Sequence, residues 1–184
     1  MHKVIFDTDP GVDDAMALLF LHRHPEIDLI GITTVFGNAS VETTTRNALF
    51  LKREWGIAAP VAKGEGKTWD PMRNPVDWPV LIHGHDGLGN IDVPETIDLP
   101  IDGRPAHRFI IDTVRANPGE VTLIAVGRMS NLAVFAFNSY KSPGVPPEPS
   151  IDRAWTAALV LILIVMALNL GARLAYRRFG TELR

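Results

Sequence analysis

The sequence predicts an α/β fold, an open parallel sheet with flanking helices, followed by one C-terminal transmembrane helix. Three observations carry that expectation. Short β-branched runs alternate with stretches of helical period. An acidic Pro-Gly turn, Asp7-Thr8-Asp9-Pro10-Gly11-Val12-Asp13-Asp14, separates the first apolar run from the first helix. Residues 154–172 carry no charge and are dense in Leu, Ile and Val.

The elements follow in order. Residues 1–6 form the first strand. A helix over 14–23 ends at His24-Pro25, because the residue before proline disfavours helical dihedrals. Residues 27–35 are β-branched and read as a strand that ends in Phe36-Gly37-Asn38. Residues 41–55 read as a helix, with Val41, Ala48, Leu49 and Leu51 available for an apolar face. Residues 60–64 are a short strand and turn, and 64–79 a loop rich in Gly, Pro, Trp and Asp. Val80-Leu81-Ile82 leads into the glycine-rich stretch His83-Gly84-His85-Asp86-Gly87-Leu88-Gly89-Asn90. Residues 91–102 are polar and proline-punctuated, a surface loop. Residues 105–116 read as a helix stopped by Asn117-Pro118-Gly119. Residues 121–127 form a buried strand that runs on into Arg128-Met129-Ser130-Asn131-Leu132-Ala133.

Composition narrows the function. A net charge of −3 and a pI near 6.0 give no electrostatic case for nucleic acid. Without cysteine there is no disulfide framework, thiolate metal site or catalytic thiol. The first residues lack the basic and apolar segments of a signal peptide, so a cytoplasmic domain is expected. Residues 138–153 form a Pro-rich linker, 154–176 the membrane helix, and 177–184 a basic tail. Trp155 and Tyr176 stand at the two ends of the span, where interfacial aromatics belong. The arginines that follow it place the C-terminus inside, which conflicts with a cytoplasmic N-terminal domain.

The acidic turn is the candidate site. In open α/β sheets, ligands bind beyond the carboxyl ends of the strands. Like charges crowded there raise each other's pKa unless a cation lies between them. Ca²⁺ suits that need, since it favours carboxylate oxygens, and Asp9 and Asp14 can reach one ion from opposite ends of the turn. Helix capping by Asp13 or Asp14 is the competing explanation. Taken alone, Gly37-Asn38 is a turn. The His83-Gly84-His85-Asp86 cluster lacks the spacing of zinc sites and reads as a flexible loop.

DTDPGVDDAMAL resembles the N-terminal signature of the inosine–uridine-preferring nucleoside hydrolases. TTVFGNAS resembles that family's TTVxGN segment, HGHDGLGN its HGxDGLG loop, and the segment after the 121–127 strand its GPLTN segment. The resemblance implies a nucleoside-hydrolase-like sheet and Ca²⁺-assisted hydrolysis of ribonucleosides to ribose and free nucleobase. It implies that Asp9 is both a Ca²⁺ ligand and the general base, that Asp14 is a ligand, and that the Val126 carbonyl is a third. Asp13, Asn38 and His83 would contact the substrate, and Asp7 would support the turn. Arg128-Met129-Ser130 departs from the family's Pro-Leu-Thr. A haloacid-dehalogenase-like phosphatase also places DxD after its first strand, but the DPGxDD extension and the GN and HGxDGLG segments speak against it.

The resemblance covers residues 1–135, whereas the family continues for a comparable length and carries further ribose-binding and Ca²⁺-ligating residues there. A truncated sheet over a partial domain of 1–137 is therefore expected, with impaired hydrolysis. The alternatives are a catalytically inactive, membrane-anchored nucleoside- or ribose-binding fragment and a phosphate-permease-related fusion product. The second rests on residues 142–180, which resemble the end of a phosphate ABC-transporter permease subunit. The partners expected are a small nucleoside, no nucleic acid, a membrane through the C-terminal helix, and a second copy of the chain in a homo-oligomer.

Overall fold

The computed structural model describes residues 1–68, 72 and 77–141. The elements are β1 (His2–Thr8), α1 (Val12–Arg23), β2 (Ile27–Thr34), α2 (Val41–Trp55) and β3 (Val61–Ala62). They continue with α3 (Val80–His83), α4 (Ala106–Ala116), β4 (Val121–Ala125) and α5 (Ser130–Lys141). The chain divides into one compact unit, Met1–Asn131, and a second, Leu132–Arg184. The described part of the second unit is the remainder of α5.

The first unit is built on a parallel sheet of order β3-β2-β1-β4. Parallel strands need crossovers, and the helices between them cover both faces. Side chains alternate across β1 accordingly. Phe6 packs with Leu18 and Leu21 of α1 and with Ala48, Leu49 and Leu51 of α2. Its neighbour Ile5 faces the other way, against Phe109 and Ile110 of α4. Each such fully buried side chain contributes about 1.5–3 kcal/mol. Gly31 lets α4 approach, since a Cβ there would run into the Phe109 ring.

One extra residue in β2 shifts the register between the pairs Val4–Leu29 and Ile5–Gly31. Beyond that bulge Asp7 lies beside Thr33 and Thr8 beside Thr34, while Asp7 also pairs with Ala125 of β4. The polar ends of β1 and β2 are thereby set beside the end of β4 at the carboxyl end of the sheet.

Helix ends follow local chemistry. The Ser40 hydroxyl accepts from the Thr43 amide at 3.3 Å and starts α2; Gly56, at φ 67°, ends it. His24, extended before Pro25, ends α1.

Several bounds differ from expectation. β1 runs to Thr8 rather than residue 6, because Asp7 and Thr8 are polar yet ladder-paired and fully buried. α1 starts at Val12, two residues early, because Gly11 occupies the cap position. Residues 80–83 form the short helix α3. The fourth strand stops at Ala125. Residues 91–102 are irregular apart from one bridge, Ala62 to Asp102.

The linker was expected from residue 138, but α5 runs to Lys141; residues 142–153, the span expected at 154–176, the basic tail and the permease-like segment lie outside the described residues. Among the described residues no helix is long and apolar enough to cross a membrane.

Candidate functional site

The carboxyl ends of β1, β2 and β4 enclose an open cleft of about 470 Å³. Asp9, Asp13, Asp14, Asn38, Val126 and Arg128 are among the residues that line it. Five of the six residues singled out from sequence therefore meet in one place. The sixth, His83, does not.

Asp9 follows β1 directly and is only 7% exposed. Its Oδ2 accepts the Asn38 amide at 2.8 Å. Glycines flank it on both sides: a Cβ on Gly37 would collide with the Asp9 carboxylate, and one on Gly127 would lie 2.7 Å from Asp9 Oδ1. Asp14 enters from α1, 6% exposed. Its Oδ1 accepts from Thr8 Oγ1 at 2.6 Å, and its Oδ2 from Asn38 Nδ2 at 2.8 Å and the Gly11 amide at 3.2 Å. The last contact is half of a capping box, so Asp14 stabilises the helix start as well as facing the cleft. Asn38 Nδ2 also donates to the Asp9 carbonyl at 3.0 Å. One amide thus ties both carboxylate residues together and keeps its own Oδ1 free for a ligand hydroxyl.

The electrostatics follow from burial. The Asp9 carboxyl is pushed up to about 7, chiefly by burial and then by the neighbouring charge of Asp14. The Asn38 amide and the Arg128 guanidinium oppose that shift. Asp7, beneath it, is pushed up to about 6 by burial, against donation from Thr33 and Asn131. Thr33 Oγ1 and Asn131 Nδ2 donate to Asp7 Oδ1 at 2.5 and 2.7 Å, while its Oδ2 is buried without a partner. Asp7 is therefore a structural strut under the site.

The rim is looser. The side chain of Asp13 is 83% exposed on the lip. Val126 is 52% exposed, and its amide donates to the Asp7 carbonyl at 2.9 Å. His83 is buried under the turn, where its Nδ1 accepts the Val12 amide at 3.3 Å and lies 4.0 Å from Asp13 Oδ1.

Sequence reasoning missed several supports. Asn47 is fully buried on α2; its Nδ2 donates to the Pro10 carbonyl at 3.2 Å and to the Asp86 carbonyl at 3.0 Å. Arg46 adds a bond to the same Asp86 carbonyl at 2.8 Å. Together they clasp the acidic turn to the glycine-rich loop. Burial works against ionisation of Asp86, but the loop amides it accepts, those of Leu88 and Asn90 among them, hold it below the ordinary carboxylate range. Asn131 links Asp7, the Thr34 carbonyl and the Glu65 amide. The available signal was a polar residue inside an apolar helical pattern, which must find partners when buried.

The donor set suits a hard cation: two buried carboxylates with no sulfur or imidazole among the cleft-lining residues named, and negative charge that the burial of Asp9 leaves poorly compensated. Among the described residues no group of three His, Cys, Asp or Glu side chains is placed to hold a metal ion. Side chains would thus supply two ligands, and main chain, water or a ligand's hydroxyls the others.

These features define a parallel α/β protein with an acidic ligand cleft at a strand-end crevice. The family model for inosine-uridine preferring nucleoside hydrolase matches residues 4–142. Probable uridine nucleosidase 2 of Arabidopsis thaliana is 42% identical over 135 residues, 72% of this chain and 41% of that protein. The inosine-uridine preferring nucleoside hydrolase of Leishmania major is 41% identical over 134 residues, 72% of this chain and 42% of its own. Among solved structures, a plant nucleoside hydrolase superposes with a TM-score of 0.68 at 39% identity, covering 74% of this chain and 42% of that one. The chain belongs to the inosine-uridine preferring nucleoside hydrolase family. It spans about two fifths of the length of the curated relatives it matches.

Proposed function

We propose that the protein acts in the hydrolysis of the N-glycosidic bond of ribonucleosides, giving ribose and free nucleobase. The single observation that carries this is the buried Asp9–Asn38–Asp14 constellation, held at the strand ends of a fold whose relatives are named nucleosidases and nucleoside hydrolases. Asp9 is the general base. Burial and the charge of Asp14 raise its carboxyl to about 7 in the cation-free protein, and a bound cation would favour the ionised form that accepts a proton from water. Asp9, Asp14 and the Val126 main-chain oxygen would hold Ca²⁺, which supplies Lewis acidity and neutralises the paired carboxylates. Asn38 offers Oδ1 to a sugar hydroxyl, because both its amide hydrogens are engaged. Asp13, exposed on the lip, meets the sugar from the solvent side. His83 contributes through the turn it supports, its Nδ1 accepting from the Val12 amide.

Acceptors dominate this cleft, so it grips the sugar rather than reading the base. Purine and pyrimidine nucleosides should both be accepted. The test is release of reducing sugar from inosine and uridine by wild type and Asp9→Ala. Turnover in the first alone supports the proposal. Equal background rates in both overturn it, and binding of ribose without turnover would favour a nucleoside-binding role.

A further inference from the structure

We propose that Arg128 is a built-in counter-charge that sets how tightly the cleft takes up a divalent cation. The inference rests on the cation-binding reading of Asp9 and Asp14 and adds what controls their occupancy.

Arg128 lines the same cleft as the two carboxylates. Its Cζ lies 5.0 Å from the ring centroid of Phe36, which is itself fully buried, so the guanidinium rests on a fixed aromatic platform. Among the described residues it has no hydrogen bond or ion pair. Its charge is therefore uncommitted, and it acts on Asp9 in favour of the ionised carboxylate. A fixed positive charge beside a pair of carboxylates has two consequences. It eases their crowding when no ion is present, and it repels an incoming dication twice as strongly as a monovalent ion. The cleft should accordingly need more free divalent ion to fill than an uncharged wall would require.

The effect is electrostatic and the guanidinium is exposed, so it should be modest and salt-sensitive. Calorimetric titration of Ca²⁺ into the full chain tests it, using wild type, Arg128→Gln, Arg128→Lys and Arg128→Pro at low ionic strength. The glutamine and proline variants should bind Ca²⁺ about three- to tenfold more tightly than wild type, and the lysine variant should match wild type. The gain should fall below about twofold near 0.5 M salt. Equal dissociation constants for Arg128→Gln and wild type overturn the proposal. So does an Arg128→Lys shift as large as that of Arg128→Gln, which would make stacking on Phe36 the cause. Failure of the underlying cation reading looks different: no Ca²⁺ heat in any of the four proteins, which removes both.

Discussion

The two walls of the cleft come from neighbouring strands but are built in different ways. The wall after β1 and β2 is closed: Asp9, Asp14, Asn38 and Thr8 satisfy one another through short hydrogen bonds under little solvent. The wall after β4 is open. That strand pairs only with β1 among the described residues and is partly exposed along its length, and Val126 and Arg128 stand in solvent. β1 is central, paired on both sides, and can hold buried charge because the ladders around it fix every partner. The lesson is a division of labour. Rigid chemistry sits where the sheet is paired twice, and adjustable charge sits at its edge.

The largest expected effect breaks the closed wall at its centre. Asp9→Asn keeps shape and removes the base, so turnover should fall about a thousandfold. The same variant should unfold at a higher temperature than cation-free wild type at pH 7.5, because a buried charge is removed. A calorimetric scan beside the rate assay checks both signs. A lower unfolding temperature would mean that Asp9 is already well compensated.

Next comes Thr8→Val, a near-isostere that strips the donor from Asp14 Oδ1. Leaving that oxygen unpaired should cost about 1–3 kcal/mol in urea denaturation. Asn47→Ala should cost a similar amount, and it should also weaken Ca²⁺ binding, since the clasp on Pro10 is lost. An Asn47→Ala protein with unchanged Ca²⁺ affinity would confine that residue to stability.

Acidity sharpens the comparison further. Asp9 and Asp7 are raised from the ordinary value of 3.8 to about 7 and about 6. Between those limits the folded protein binds more protons than the unfolded chain. Their contribution to the stability of the cation-free protein should therefore be fully present below about pH 4 and be lost as pH rises through 6 to 7. Added Ca²⁺ should counter the loss progressively as pH rises. Denaturation at a series of pH values, with and without the ion, reads this directly. Stability that rises over that interval would contradict it.

The smallest effect belongs to the open wall. Val126→Thr should change stability by less than about 0.5 kcal/mol and leave Ca²⁺ affinity unchanged, because the side chain is exposed and the proposed ligand is a main-chain oxygen. A large loss would show that the two walls are not so different.

What the sequence made legible divides along the same line. Local signals sufficed for α2, whose bounds match expectation because Ser40 caps its start and Gly56 its end. They also sufficed for the alternation of strands and helices, and for the acidic turn as the organising feature. They failed at the last two residues of β1, where Asp7 and Thr8 are polar by type but buried by pairing. Thr8, Asn47 and Asn131 escaped for a related reason. Thr8 acts on Asp14 across the turn, while Asn47 and Asn131 have partners far along the chain, and Asn131 reaches Asp7 across 124 positions. The motif of His83 pointed to a substrate contact, whereas the side chain accepts from the Val12 amide and does not line the cleft.

The central claim is that the buried pair Asp9 and Asp14 grips one hard divalent cation. Equilibrium dialysis of the purified chain against Ca²⁺ at pH 7.5 tests it most directly, alongside Asp14→Asn. One ion per wild-type chain and none in the variant is the expected result. Equal occupancy in the two proteins, or no bound ion in wild type, would contradict the account.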